Sequence, residues 1–233
     1  MTKLTYLIVP FFLTALKAQT PLEVGIFAGT TTYQGDLAED HLEFKELNFA
    51  FGGYMRYHFT PKYNVRFSVI YGHITGSDGN AKDIGLFSRG WSYKSHIVEM
   101  SFVNEYHPFA KSRTNDVGLF RKQISPYVAA GVGVANFDPS IYFTNQVDVF
   151  KFPEPDAKGS SITIPVILGV KADLHKYVIT SMEIGSRLTF NDYLDGISHN
   201  GNPKKNDLFI FIGFSVSYYI GYEDFPWLEK VMH

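Results

Sequence analysis

The feature that most constrains this chain is a period-two alternation of side-chain character, held over segments too long for ordinary strands. Between Ser161 and Ile220 it occurs three times. In SITIPVILGVKAD, Ile162, Ile164, Val166, Leu168, Val170 and Ala172 share one face. Ser161, Thr163, Gly169, Lys171 and Asp173 share the other, and Pro165 and Ile167 fall out of step. In YVITSMEIGSRLTF, Val178, Met182, Ile184, Leu188 and Phe190 oppose Ser181, Glu183, Gly185, Arg187 and Thr189. In DLFIFIGFSVSYYI, Leu208, Ile210, Ile212, Phe214, Val216, Tyr218 and Ile220 oppose Gly213, Ser215 and Ser217, with Phe209, Phe211 and Tyr219 mixed in. Successive strand side chains point to opposite faces, so this is strand patterning. The segments exceed the usual ~5–6 residues of a soluble strand and suit the ~9–11 that a tilted strand needs to cross a bilayer.

Five earlier segments repeat the pattern. Leu22–Thr32 sets Val24, Ile26 and Ala28 against Glu23, Gly25 and Gly29. Glu46–Phe59 sets Leu47, Phe49, Phe51, Met55 and Tyr57 against Asn48, Ala50, Gly52, Arg56 and His58. Tyr63–Ile74 sets Val65, Phe67, Val69 and Tyr71 against Asn64, Arg66, Ser68 and Gly72. Ser92–Pro108 sets Val98, Met100 and Phe102 against Ile97, Glu99 and Ser101. Gln123–Phe137 sets Val128, Ala130, Val132 and Val134 against Ala129, Gly131, Gly133 and Ala135. The first, third, fifth and seventh connections are long and polar. The second and sixth are tight, at Thr60-Pro61-Lys62 and His175-Lys176, and the fourth is intermediate. Short turns at one end and long loops at the other are the habit of outer-membrane barrels. A lipocalin-like soluble barrel shares the strand number but keeps its apolar face inside. Here one face is almost continuously apolar, and the other is polar, charged and rich in glycine. The expected fold is therefore all-β: an eight-stranded antiparallel up-and-down transmembrane β-barrel of outer-membrane type, apolar toward lipid, with a side-chain-filled interior.

Composition agrees. Mean hydropathy is −0.06, far too low for a helical membrane protein, while a membrane barrel conceals its lipid face in alternation. Aromatic residues make up 16% of the 233 residues, suited to interfacial girdles as well as to a soluble sandwich core. A net charge of −2 gives no reason to expect nucleic acid as a partner, and the absence of Cys removes disulfide and thiolate chemistry. Lys3 followed by the apolar run Leu4–Leu16 and then Ala18 has the anatomy of a signal peptide, taken as residues 1–18. That leaves 19–220 as the barrel and 221–233 as a tail.

The alternation places Glu23, Arg56, Arg66, Glu99, Lys171, Asp173, Glu183 and Arg187 in the lumen, four acids and four bases. Eight strands leave an interior just wide enough for side chains, and buried charges must pair. The expectation is a plug of ion pairs at several depths, with no porin-like pore. The eight histidines show no metal-ligand spacing, and no nucleophile elbow is present, so neither a metal, a cofactor nor a catalytic residue is assigned. Gly131-Val-Gly133 resembles the start of a dinucleotide fingerprint, but inward glycines on a strand account for it. A rim enzyme would have Asp192, Asp195 and His199 to work with.

Three stretches resemble a known family, the PorG-like outer-membrane proteins of the type IX secretion system. Tyr33-Gln34-Gly35-Asp36-Leu37 is similar to its YxGDL motif, and GVGVANFDP (131–139) to its strand-to-loop signature. Residues 183–198, with Glu183, Arg187, Asp192, Tyr193 and Asp195, resemble its E-x-G-x-R-x-T-F-x-D-Y-L-D-x-x-S segment, followed by Asn206-Asp207. Asn191, Gly196 and Leu208 depart from that pattern. The resemblance implies a non-enzymatic barrel that meets a periplasmic ring of lipoprotein and soluble subunits. The alternatives are a barrel enzyme, lipid-modifying or proteolytic, and a stand-alone structural or adhesive barrel. An even strand number puts both chain ends on one side, the periplasmic side in this reading. The tail then offers Tyr222, Phe225, Trp227 and Leu228 as candidate partner-binding residues. The connection Phe109–Lys122, with Lys111, Arg113, Arg121 and Lys122, is a second candidate surface.

Overall fold

The computed structural model describes residues 22–34, 48–77, 92–115, 117, 119–142, 159–189 and 208–220. They form eight strands: β1 (Leu22–Gln34), β2 (Asn48–His58), β3 (Tyr63–Ser77), β4 (Ser92–Tyr106), β5 (Gln123–Tyr142), β6 (Gly159–Asp173), β7 (Val178–Thr189) and β8 (Leu208–Ile220). Each pairs antiparallel with its neighbours in sequence, and β1 pairs with β8, so the sheet closes into a barrel. The strands match the alternating segments with shifted ends. β3 and β5 run on to Ser77 and Tyr142, whereas β4 stops at Tyr106, two residues before Pro108.

The register fixes the shape. Stepping between opposite residues from Leu22 through Tyr57, Val65, Asn104, Ala130, Val166, Ser186 and Ile210 returns to β1 at Thr32, ten residues from the start. A stagger of that size on eight strands, with strands ~4.8 Å apart and a rise of ~3.3 Å per residue, tilts them by about 40°. The closing seam is tight. A Cβ on Gly213 would lie 2.8 Å from the Cα of Gly29 and 2.6 Å from the ring of Phe27, so β8 and β1 meet closely only because both positions lack a side chain.

Proline and hydroxyl chemistry make the turns. In the β2–β3 turn the Thr60 hydroxyl accepts the N–H groups of Lys62 (3.2 Å) and Tyr63 (3.0 Å), and Pro61 holds the second turn position. In the β6–β7 turn the N–H groups of Leu174 and His175 both donate to the Val178 carbonyl (3.2 and 3.1 Å). The pairing of β5 with β6 skips Gly131 and Val132, where Pro165 has no N–H to give.

The outer wall is apolar. Ile26, Phe51, Met55, Phe102, Val132, Leu168, Met182, Phe214 and Val216 are all exposed on it. Aromatic pairs bound this wall. Toward the short turns, Tyr63 packs on Tyr106 (ring centroids 4.9 Å), Tyr57 on Phe59 (4.8 Å) and Tyr177 on Tyr218 (5.5 Å). Toward the long connections, Phe51 packs on Tyr71 (5.2 Å), and Tyr71 meets His96. Tyr63 and Tyr71 lie on one face of β3, eight residues apart, which is about 20 Å of height at that tilt. An apolar band of this order between aromatic girdles is what a barrel presents to a bilayer.

Candidate functional site: the ion-paired interior and its mouth

Every inward position of the strands faces a narrow lumen, and five charges of that face form one chain. Glu23 on β1 lies opposite Arg56 on β2, and the two are ion-paired. Arg56 lies directly opposite Arg66 on β3, a like-charge pairing that would be unfavourable if nothing stood between them. Glu105, at the end of β4, stands between them. Its Oε2 is 2.6 Å from Arg56 Nε and its Oε1 3.1 Å from Arg66 Nε, while Arg56 Nη2 donates to Oε1 at 3.1 Å. The two Nε contacts are close charge contacts without hydrogen-bond alignment. Arg66 Nη1 then donates across the lumen to Glu183 on β7 (2.6 Å), which also accepts the Tyr127 hydroxyl (2.6 Å). The order Glu23, Arg56, Glu105, Arg66, Glu183 alternates in sign, and each member is almost wholly buried.

Neutral groups complete the coordination. Glu23 accepts from Ser217 (2.6 Å) and Tyr54 (3.2 Å), and His58 Nε2 lies 2.9 Å from its other oxygen. His107 Nε2 lies 3.3 Å from Glu105, and its Nδ1 lies 3.2 Å from the Ser125 hydroxyl. The Asn64 amide fits between the two imidazoles. With its nitrogen turned to His58 Nδ1 and its oxygen to His107 Nε2, both contacts are 3.0 Å.

Nearer the long connections the interior changes character. Phe27, Phe209, Phe211, Ile74 and Ile97 point inward and are buried. Phe211 packs edge-on against Phe209 (5.5 Å) and Phe27 (6.4 Å). Within this layer sits one separate pair, Arg187 and Glu99, with Nε 3.2 Å from Oε2. The Arg187 guanidinium lies over the Phe211 ring (4.6 Å) and donates to the Gly185 carbonyl (2.6 Å). A side chain on Gly185 would occupy the space of that guanidinium.

At the short-turn end the β4–β5 connection folds back over the mouth. Its Thr114 and Phe120 bridge as a small hairpin, turned by Asn115, whose side-chain oxygen accepts the N–H groups of Val117 (3.1 Å) and Leu119 (2.8 Å). Arg113 fastens it. The guanidinium donates to Asp173 Oδ1 (3.1 Å) and to the Lys176 carbonyl (2.9 Å), and it lies over the Tyr219 ring at 3.8 Å. Gln123 completes the fastening, donating to Asp173 Oδ2 (2.9 Å) and the Lys111 carbonyl (3.0 Å) and accepting the Lys111 N–H (3.0 Å).

Against known sequences, the chain matches the family described as "Domain of unknown function (DUF6089)" over residues 1–226. It belongs to the DUF6089 family. No curated protein sequence matches this DUF6089 barrel. Similar solved structures include Ail, the attachment invasion locus protein of Yersinia pestis. It is 9% identical, with TM-score 0.46, covering 87% of this chain and 99% of that one. Neisserial surface protein A is 13% identical, with TM-score 0.46, covering 86% and 97%. OprG from Pseudomonas aeruginosa is 12% identical, with TM-score 0.44, covering 87% and 98%.

All eight charges that the alternation turns inward, Glu23, Arg56, Arg66, Glu99, Lys171, Asp173, Glu183 and Arg187, are buried in the DUF6089 barrel. Three points of the sequence reading need correction. Glu105 also belongs to the set, because it joins the two arginines; it lies six residues beyond Glu99 on the same face of β4, which is the signal that points it inward. The lumen is not filled by charges alone, because Ile167, Phe209 and Phe211, which look out of step in the sequence, keep the alternation and fill part of it with apolar volume. Arg113 does not serve the outer surface of its connection, because Asp173 and two turn carbonyls draw it inward. Gly131 and Gly133 lie within β5, not in a phosphate-binding turn. Among the described residues no group of three or more His, Asp or Glu is placed to hold a metal ion. The backbone of Tyr33 lies in β1 opposite Phe209. Gly35, Asp36, Asp192, Tyr193, Asp195, His199, Tyr222, Phe225, Trp227 and Leu228 fall outside the described residues.

Proposed function

We propose that this barrel is a non-enzymatic outer-membrane subunit of a type IX protein secretion machine, which anchors or organises a periplasmic ring at the membrane. The observation that carries this reading is the interior. A lumen closed by an alternating chain of five buried charges, an aromatic layer and a fastened hairpin offers solutes no route, so the working surfaces are the outer wall and the two ends. The motif resemblance of residues 33–37, 131–139 and 183–198 supplies the machine. In this reading the short-turn end faces the periplasm. There the hairpin of the β4–β5 connection exposes Val117 (80%) and Leu119 (66%) at its tip, and Lys111 and Lys122 flank its base in sequence. β8 reaches that same end at Ile220, and the sequence after it includes Tyr222, Phe225, Trp227 and Leu228.

The test is affinity purification of the full chain from detergent-solubilised membranes, with identification of co-purifying proteins. A periplasmic lipoprotein and a soluble ring subunit at fixed ratio are expected. Replacing Trp227 by Ala, or deleting Glu223–His233, should leave the barrel inserted and lower that ratio. A barrel that purifies alone under conditions that keep the ring intact would replace this reading with that of a stand-alone structural barrel.

A further inference from the structure

The charges near the short-turn mouth are unequally satisfied. Glu23 is held by Arg56, His58 and Ser217, Glu105 by Arg56, Arg66 and His107, and Asp173 by Arg113 and Gln123. Lys171 on β6 lies near the same end and is 4% exposed, yet among the described residues its ammonium makes no hydrogen bond or ion pair. An ammonium has three protons to give, and its nitrogen is not among the buried polar atoms shut off from solvent, so those protons face space that water or an anion can reach. The side chain instead lines a chamber of about 250 Å3 under the folded-back connection, several times the ~30 Å3 share of one water molecule. Lys111 stands at the rim of this chamber, Arg113, Gln123 and His58 form walls, and no carboxylate side chain lines it. The connection's own fastening, from Arg113 to Asp173 and Gln123 to Lys111, keeps the chamber in shape without using Lys171.

We infer that this chamber binds one small oxyanion group, of phosphate or carboxylate chemistry, entering from the short-turn mouth. Lys171 is its buried counter-charge and Lys111 its charge at the rim. Arg113 is committed to Asp173 and forms a wall, and the Gln123 amide is committed to Lys111 and Asp173, so selectivity rests on the two lysines. The opposing account makes Lys171 a distant balance for Glu23, Glu105 and Glu183, which share two arginines, with only water in the chamber. That account allows no saturable anion site.

The full chain in detergent is titrated by calorimetry with inorganic phosphate and, separately, with acetate. Sodium chloride holds ionic strength constant, because attraction to exposed charges is screened by salt. One saturable site is expected. A response to phosphate alone identifies a phosphate site, and a comparable response to acetate a carboxylate site. Lys171→Met should weaken the better ligand by about tenfold or more, as loss of a charge-assisted hydrogen bond does. Lys94→Met, on the outer wall of β4 near the other end, should change nothing. Absence of saturation by either anion, or equal affinity in Lys171→Met, overturns the inference. If Lys171→Met does not fold, Lys111→Ala decides the matter from the exposed rim: unchanged affinity there overturns it as well.

Discussion

Replacing Glu105 by Gln tests the interior most directly, because it removes one charge and nearly no volume. Glu105 is the carboxylate that stands between Arg56 and Arg66, which lie directly opposite one another on β2 and β3. Gln can still offer an oxygen to one guanidinium, but its amide nitrogen turns a donor toward the other. Each arginine keeps one remaining carboxylate, Glu23 or Glu183. The loss therefore belongs at the lower end of the ~3–5 kcal/mol range for breaking a buried pair, about 3 kcal/mol. A second substitution shows whether the cost comes from stranded positive charge. Arg56→Met in the Glu105→Gln background removes one of the two facing cations. The double variant should then be less destabilised than the sum of the two single changes, with a coupling of about 1–3 kcal/mol. Urea unfolding of detergent-refolded barrel, followed by tryptophan fluorescence and by heat-modifiable gel mobility, measures both quantities. A Glu105→Gln barrel within about 0.5 kcal/mol of the parent, the range of ordinary surface changes, would refute the alternating chain as a stabilising unit. Strict additivity in the double variant would refute the stranded-charge explanation.

Arg113→Ala strands Asp173 at the mouth and unfastens the β4–β5 connection; the pair is partly solvated, so a cost of about 2 kcal/mol is expected, together with faster trypsin cleavage at Arg121 and Lys122, and an unchanged cleavage rate would contradict the fastening. The filled lumen should give no stable porin-sized conductance in planar bilayers; a steady wide channel would contradict it. Burial holds His107, in the connection just past β4, below the ordinary imidazole range, against the opposing pull of its bond to Glu105. The unfolded chain takes up that proton near pH ~6.5 and the folded chain only at lower pH, so stability rises with pH between the two values and is lost as pH falls below ~6.5. His107→Gln should flatten that part of the difference profile, and an unaltered slope would show that burial does not govern this imidazole.

The sequence made the direction of each strand side chain legible because position parity decides it and polarity only reports it. Where polarity and parity disagreed, polarity misled. Ile167, Phe209 and Phe211 look like lipid-facing residues, but lipid and a packed lumen are equally apolar, so hydrophobicity alone cannot separate them. Glu105 lies inside the Ser92–Pro108 segment, but just before it the inward residue is Val103 and the outward one Asn104, so polarity no longer marks the inward face there. The pairing of charges was not legible at all. Arg66 and Glu183 are 117 positions apart and meet across the lumen because the stagger of the strands brings β3 and β7 to the same depth. The inward path of Arg113 was hidden for a similar reason. Its partners, Asp173 and the carbonyls of His175 and Lys176, are assembled by the β6–β7 turn, which no local pattern around residue 113 foretells.

The seam between β1 and β8 also governs how the molecule can be made. Its ladder runs from Leu22 opposite Ile220 to Gln34 opposite Leu208, so the first strand cannot be satisfied until the last is available. Pairings of that sequence separation carry the loop-closure cost that slows folding of β proteins. Until closure, two long edges with apolar outer faces stand open, the arrangement most prone to joining other chains edge to edge. A chain halted before Leu208 would therefore be an adhesive open sheet, not a smaller barrel. Until β8 is available, the chain has to be escorted in an unfolded state.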